Sequence, residues 1–165
     1  MFNINILPFV KVVSALFVHL FFIAFSIVLL ACYGFLPDLY DLQIIYYVLC
    51  TFVFVLGLTY FTSAITVFFR DMAQIINIVV LQVGIWLTPI MWDAENTLSP
   101  KLLLLFKLNP MFYIVDGFRD ALLYKSWVWE GKGLWTLYFW TVTLLAFSVG
   151  VIVFRKLKIH FADIL

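Results

Sequence analysis

Weakly polar side chains recur at helical spacing inside the long apolar stretches of this sequence. His19, Ser26 and Tyr33 follow one another at intervals of seven residues, and Asn77 and Thr88 share a face of a later stretch. Small and hydroxyl-bearing side chains let helices approach and hydrogen-bond to one another in a membrane. The same faces can instead line a conduit for a polar substrate, whose hydroxyl groups find no partner in hydrocarbon. The sequence leaves both interpretations open.

His19 is the one titratable side chain placed deep within these stretches. An ionisable residue inside a membrane is a functional hypothesis by default. However, the stretches contain no Asp or Glu that could exchange a proton with it. Acid–base catalysis needs a positioned partner of that kind. We therefore predict no catalytic residue, and we expect a neutral His19 that is hydrogen-bonded to a neighbouring helix.

The sequence contains no recognisable metal-binding or nucleotide-binding motif. Cys32 and Cys50 lie in apolar segments without a CxxC pair, and the sequence has neither HExxH nor GxxxxGK[ST]. The chain is therefore predicted to hold no metal and no cofactor. A net charge of +1 gives no field that would attract nucleic acid.

The elements that must position these residues are four stretches free of charged side chains. Apolar residues make up 66% of the chain and charged residues 12%, whereas about a quarter of the residues in soluble domains are charged. A helix needs about 20 apolar residues to cross a bilayer. We predict an all-α integral membrane protein, a single membrane domain over residues 1–165, with four transmembrane helices at about 12–36, 42–65, 72–92 and 133–154.

The long loop 93–132 between the third and fourth spans is unusually apolar. Two runs, 101–108 and 109–124, are too short to span and meet at the turn signal formed by Asn109 and Pro110. Apolar runs of this length are typical of re-entrant or interfacial segments. We predict two short helices of that kind in this loop.

Positive charge gives the orientation. Five Lys and Arg residues fall on each side of the predicted bundle, but Arg155, Lys156 and Lys158 form a dense cluster beside the last span. Because Lys and Arg concentrate in cytoplasmic segments, we place both termini in the cytoplasm and the loop 93–132 outside.

Several short motifs carry a family resemblance over nearly the whole chain. They are FRDM at 69–72, LQ at 81–82, WLTPI at 86–90 followed by Trp92, LNP at 108–110, FR at 118–119, and the lead ILP at 6–8. In this order they resemble the permease subunit of type-2 ABC exporters. The branch they resemble most is the polysaccharide exporters, which move lipid-linked O-antigen, capsule or teichoic-acid chains.

The resemblance implies a six-span permease of the bacterial cytoplasmic (inner) membrane. Such a permease forms a dimer and docks on two copies of a separate ATP-binding subunit, so ATP and Mg²⁺ would sit on that partner subunit. It also carries outer gate helices between its last two spans. Met1 falls just before the third span of the family, so we expect a fragment or an N-terminally truncated permease. The alternatives are a small non-enzymatic channel, a membrane scaffold protein, or an inactive fragment.

Given that implied function, polar and aromatic side chains are candidates for the substrate path, because a glycan needs partners for its hydroxyl groups. A lipid-linked glycan would pass between one face of His19, Ser26 and Tyr33 and another of Asn77, Thr88 and Trp92. The outer gate would comprise Asn109, Pro110, Tyr113, Arg119 and Tyr124, and the cytoplasmic turn Arg70 and Asp71. For Arg119, an ion pair with Asp116 one helical turn earlier is the alternative to a gate role.

Overall fold

The computed structural model describes residues 6–69 and 71–159, and the regular secondary structure in that part of the chain is helical. Arg70, assigned to the cytoplasmic turn, lies outside the described residues. The helices are α1 (Ile6–Cys32), α2 (Gln43–Phe68), α3 (Met72–Leu87), α4 (Ala94–Thr97), α5 (Pro100–Lys107), α6 (Pro110–Arg119) and α7 (Gly133–Leu157). Helix α3 has a π-helical middle, Ile78–Val83, and a second π-helical turn, Asp120–Tyr124, continues α6.

Within residues 6–69 and 71–159, three helices are long and apolar enough to cross a bilayer. They are Ile6–Cys32, Leu39–Phe68 and Gly133–Leu157. The all-α membrane class is thus confirmed. Helix α3 is shorter than the roughly 20 residues of a full crossing, so the span expected at 72–92 stays a prediction.

Helix α1 begins and ends earlier than the predicted span 12–36. It ends because Gly34 adopts a left-handed conformation, with φ of +94°. The Gly34 amide then donates to the Ala31 carbonyl (3.1 Å) and the Phe35 amide to the Leu30 carbonyl (3.0 Å). This pair of bonds is a Schellman cap, which satisfies carbonyls at the end of a helix.

A short acidic turn connects α1 to α2. The Leu39 amide donates to Asp38 Oδ1 (2.7 Å), and the Asp38 amide donates to Asp41 Oδ2 (3.1 Å). These reciprocal bonds form a capping box. They begin a 3-10 turn over Leu39–Leu42 that leads directly into α2.

Helices α2 and α7 form the central packing of the bundle. Gly57 and Gly150 face each other across it: a Cβ at Gly57 would lie 2.8 Å from the Phe147 Cα, and one at Gly150 would overlap the Gly57 carbonyl oxygen. Small residues allow such close approach of membrane helices. Thr143, which precedes Gly150 by seven residues on α7, is fully buried in the same packing.

Helix α1 lies at the edge of this bundle. Pro8 and Val12 are its buried residues, while most of its phenylalanine rings are exposed. Its Phe9 ring meets Phe52 of α2 edge-on, with 6.2 Å between the centroids. In a membrane, the exposed rings would face lipid or another protein.

Candidate functional site

Helix α6 lies across α2 and α7 and is fixed at its start by two residues predicted to form a turn. Pro110 occupies the first helical turn, where its missing amide hydrogen costs nothing. The Asn109 side-chain oxygen accepts from the Met111 amide at 3.1 Å, which is an N-cap. Gly117 of α6 has no room for a Cβ because the Tyr47 ring of α2 fills that space.

The same Asn109 joins α6 to the end of α3. Its amide nitrogen Nδ2 donates to Thr88 Oγ1 at 2.9 Å. Thr88 is only 3% exposed, so the bond is shielded from solvent. A buried hydroxyl needs such a partner, and the bond therefore holds the start of α6 against the segment that follows α3.

Arg119 makes a second connection to that segment from the other end of α6. Its Nη2 donates to the carbonyl oxygens of Pro89 (2.5 Å), Ile90 (3.0 Å) and Trp92 (3.2 Å). These carbonyls follow the C-terminal end of α3, where helix dipoles favour a cation. Both ends of α6 thus bind the turn 88–92.

The ion pair with Asp116, given above as the alternative to a gate role for Arg119, is not formed among the described residues. Asp116 accepts instead from Lys132 Nζ at 2.5 Å, and Lys132 also pairs with Asp120. The i and i+3 spacing brought Asp116 near Arg119 along the helix. A lysine from the start of α7 offers the carboxylate a partner, while three carbonyls occupy the guanidinium.

The cluster of Asp116, Asp120 and Lys132 was not predicted from the sequence. Asp120 is 6% exposed. Burial, together with the negative charge of Asp116, raises the pKa of the Asp120 carboxyl against the opposing effect of Lys132. Burial lowers the pKa of Lys132, but the two carboxylates outweigh burial and raise it overall. The available signal was the spacing of Asp116 and Asp120, which puts both on one helix face.

Tyr113, assigned to the gate, lies in the core between α2, α6 and α7. Its ring stacks on Phe139 with 4.9 Å between the centroids. Its hydroxyl lies 3.2 Å from the Tyr46 hydroxyl and 2.9 Å from Thr136 Oγ1. Trp140 Nε1 donates to the same Tyr46 oxygen at 2.9 Å. Tyr113 therefore connects three helices, whereas the gate residue Tyr124 is exposed at the end of the π-helical turn.

Among the residues assigned to the substrate path, His19 borders a cavity. About 340 Å³ of space lies between α1 and α2, lined in part by His19 and Thr51. The imidazole meets the Phe118 ring edge-on at 5.9 Å. Its Nε2 is buried and has no hydrogen-bond partner among the described residues. The predicted bond from His19 to a neighbouring helix is therefore not seen in that part of the chain.

The other path residues are spread over different surroundings. Ser26 is exposed and its hydroxyl donates to the Phe22 carbonyl of its own helix (2.8 Å), and Tyr33 is 77% exposed. Asn77 is exposed, as is Asp71 before α3. Trp92 lies beside the Phe106 ring at 5.7 Å. The structure thus brings Thr88 and Trp92 together with Asn109 and Arg119, but it leaves Ser26, Tyr33 and Asn77 on the surface.

Comparison with known proteins bears on the same segment. The profile of the ABC-2 type transporter family matches residues 5–123, which include the turn 88–92 and all of α6. The chain is also similar to the O-antigen export system permease protein RfbA of Klebsiella pneumoniae, with 27% identity over 113 residues. That alignment covers 68% of this chain and 41% of the relative, so the chain spans about two-fifths of the relative's length. Since the family profile covers well over half of its residues, the chain belongs to the ABC-2 type transporter membrane family.

Proposed function

We propose that this chain is a membrane-spanning part of an ATP-driven exporter that moves a lipid-linked polysaccharide across the bacterial cytoplasmic membrane. Family membership makes it a membrane transport subunit rather than an enzyme. The polysaccharide substrate rests on the similarity to an O-antigen export permease. The observation that carries the proposal is that the motif residues Thr88, Asn109 and Arg119 form one bonded unit.

The proposed topology has four spans, with α3 and the turn after it as the third. Contacts at one end of the bundle support a crossing by α3. Lys125 Nζ donates to the Leu36 carbonyl (3.1 Å), and Gln43 Nε2 donates to the Ser126 carbonyl (2.9 Å). The loop before α7 therefore lies beside the start of α2. Because α2 carries the chain about 39 Å away from that end, a crossing by α3 and the turn after it would bring the chain back.

Energy and assembly would come from partner chains. We propose a separate ATP-binding subunit and a second copy of the permease, with the exposed Asp71 turn on the cytoplasmic face. The loop 93–132 would then lie outside, with α5 and α6 as the re-entrant or interfacial pair. A reporter fused after Lys158 should read cytoplasmic, and one inserted at Asn96 should read external. The inverse pattern would overturn this topology.

Export itself is tested by deleting the gene in its own bacterium. We expect surface polysaccharide to disappear while its lipid-linked precursor accumulates on the cytoplasmic side. Complementation should restore the surface polymer only together with an intact ATP-binding partner. Unchanged surface polysaccharide after deletion would contradict the proposal and favour a channel or scaffold role.

A further inference from the structure

A cavity of about 190 Å³ opens where α5, α6 and the start of α7 meet. Aromatic rings and charged side chains both line it: Lys107, Phe112, Asp116, Glu130, Lys132 and Trp135. Ligand sites typically combine apolar walls with a few well-placed polar groups. This cavity has that composition, and it lies apart from the space beside His19.

The charges of the lining cancel. Lys107 and Lys132 contribute two positive charges, and Asp116 and Glu130 contribute two negative ones. Lys132 is moreover held by Asp116 and the neighbouring Asp120. Because charges of both signs lie at the cavity, it has no single-sign field that would concentrate an anion or a cation. The lining therefore favours a neutral ligand that can both donate and accept hydrogen bonds.

Acceptors and ring surfaces are both available for such a ligand. Glu130 uses Oε2 to accept from the Trp127 amide at 3.1 Å, which leaves its Oε1 able to accept a hydroxyl. Trp135 and Phe112 supply apolar ring surface on the same cavity. A pyranose ring has matching chemistry, because its C–H faces pack on aromatic rings while its hydroxyls point to the rim.

From this arrangement we infer that the cavity is a saccharide subsite that binds one neutral sugar ring of the transported polymer. The inference rests on the proposed export function for the identity of the polymer, and on the lining for the chemistry of binding. In the proposed topology the cavity faces outward, so it would hold the chain after it has crossed. This contact would oppose backward slippage between transport steps.

The test is direct binding to the full chain reconstituted in lipid nanodiscs. The probes are maltohexaose, mannohexaose and galactohexaose, with hexagalacturonate as the charged comparison. Binding is followed by saturation-transfer NMR and by tryptophan fluorescence. We expect at least one neutral oligosaccharide to bind, and hexagalacturonate to bind about tenfold more weakly or not at all.

Two variants test the lining with only a small change in side-chain volume. Trp135→Phe keeps an aromatic ring and should weaken binding about fivefold, and Glu130→Gln, at an exposed position, should weaken it about threefold. Trp129→Phe is the matched control, because Trp129 is exposed and stacks on Trp127 outside the cavity. The sugar affinity of Trp129→Phe should equal that of the wild type, and thermal unfolding verifies that all three variants fold.

The outcomes separate this inference from the export proposal. Absence of binding by every neutral sugar, or equal affinity in Trp135→Phe and the wild type, overturns the subsite even if gene deletion abolishes export. If sugar binding in nanodiscs depends on Trp135 and Glu130, but the surface polysaccharide survives deletion of the gene, the subsite is supported and only the export function is overturned.

Discussion

Replacement of Arg119 by methionine should release the turn 88–92 from α6. The Nη2 group that contacts three carbonyls carries only two hydrogens. The contacts therefore amount to about two charge-assisted bonds, each worth roughly 1.5–3 kcal/mol. Pro89 is fully buried, so its carbonyl would also lose its donor away from water. Allowing for non-additivity, we expect Arg119→Met to cost about 2–4 kcal/mol.

Arg119→Lys provides an intermediate case. A lysine keeps the charge, but its compact ammonium lacks the planar fork that reaches several carbonyls at once. The expected loss is about 1–2 kcal/mol. Lys101→Met is the matched control, since Lys101 is an exposed cation in the same loop. It should leave stability unchanged.

Hydrogen exchange measured by mass spectrometry can detect the local opening of the turn 88–92. A loss of about 3 kcal/mol in the free energy of local opening speeds exchange of amides over 88–99 roughly 100-fold. The core of α2 and α7 should keep its protection. If the amides over 88–99 exchange in Arg119→Met as they do in the wild type, Arg119 does not hold the turn 88–92 against α6. An export defect without any change in exchange would instead assign Arg119 to the substrate path.

Other contacts predict effects that thermal unfolding in detergent can measure. Gly150→Leu should destabilise the protein by about 2 kcal/mol or more, because its side chain would meet the α2 backbone. Gly133→Ala, with open space at its Cβ, should be nearly neutral, and a comparable loss in both would contradict the packing. Thr88→Val should cost about 1–2 kcal/mol through the unsatisfied Asn109 amide, and Thr88→Ser should restore most of it. The raised pKa of Lys132 gives stability that is full below its usual value of 10.5 and is lost as pH rises through the folded-state value. The raised pKa of Asp120 likewise predicts that stability falls as pH rises above 3.8, and Asp120→Asn should abolish this change at acidic pH. A melting temperature that does not depend on pH would refute the predictions for Lys132 and Asp120.

The long helices were predictable because their signal is local. A run without charges and a glycine or acidic turn at its end are visible in the sequence, and the structure places helices accordingly at Ile6–Cys32 and Gly133–Leu157. The helix after Asn109 and Pro110 was also predictable, because an N-cap and a first-turn proline act within a few residues.

The partners of the charged residues were not predictable for the opposite reason. Arg119 binds carbonyls 27 to 30 positions earlier, and backbone carbonyls carry no sequence signature. Lys132 competes for Asp116 from a separate helix. His19 and Ser26 lie on α1, and Tyr33 directly follows its last residue. Their surroundings depend on which helices pack against α1, and that packing has no local signal in the sequence.

These contacts place the rigid and the loosely held parts of the bundle. Asn109 and Arg119 bind α6 to the turn after α3, Gly117 seats it on α2, and Lys132 binds it to α7. Motion of α6 by itself would break the charge-assisted bonds of Arg119 and Lys132 and the neutral bond of Asn109, and it would disturb the packing of Gly117 on α2. Helix α1 has mainly ring contacts, and the cavity beside His19 already separates it from α2. If the bundle opens for a substrate, the smaller energetic cost lies between α1 and α2, with α6 and the turn after α3 moving as one piece.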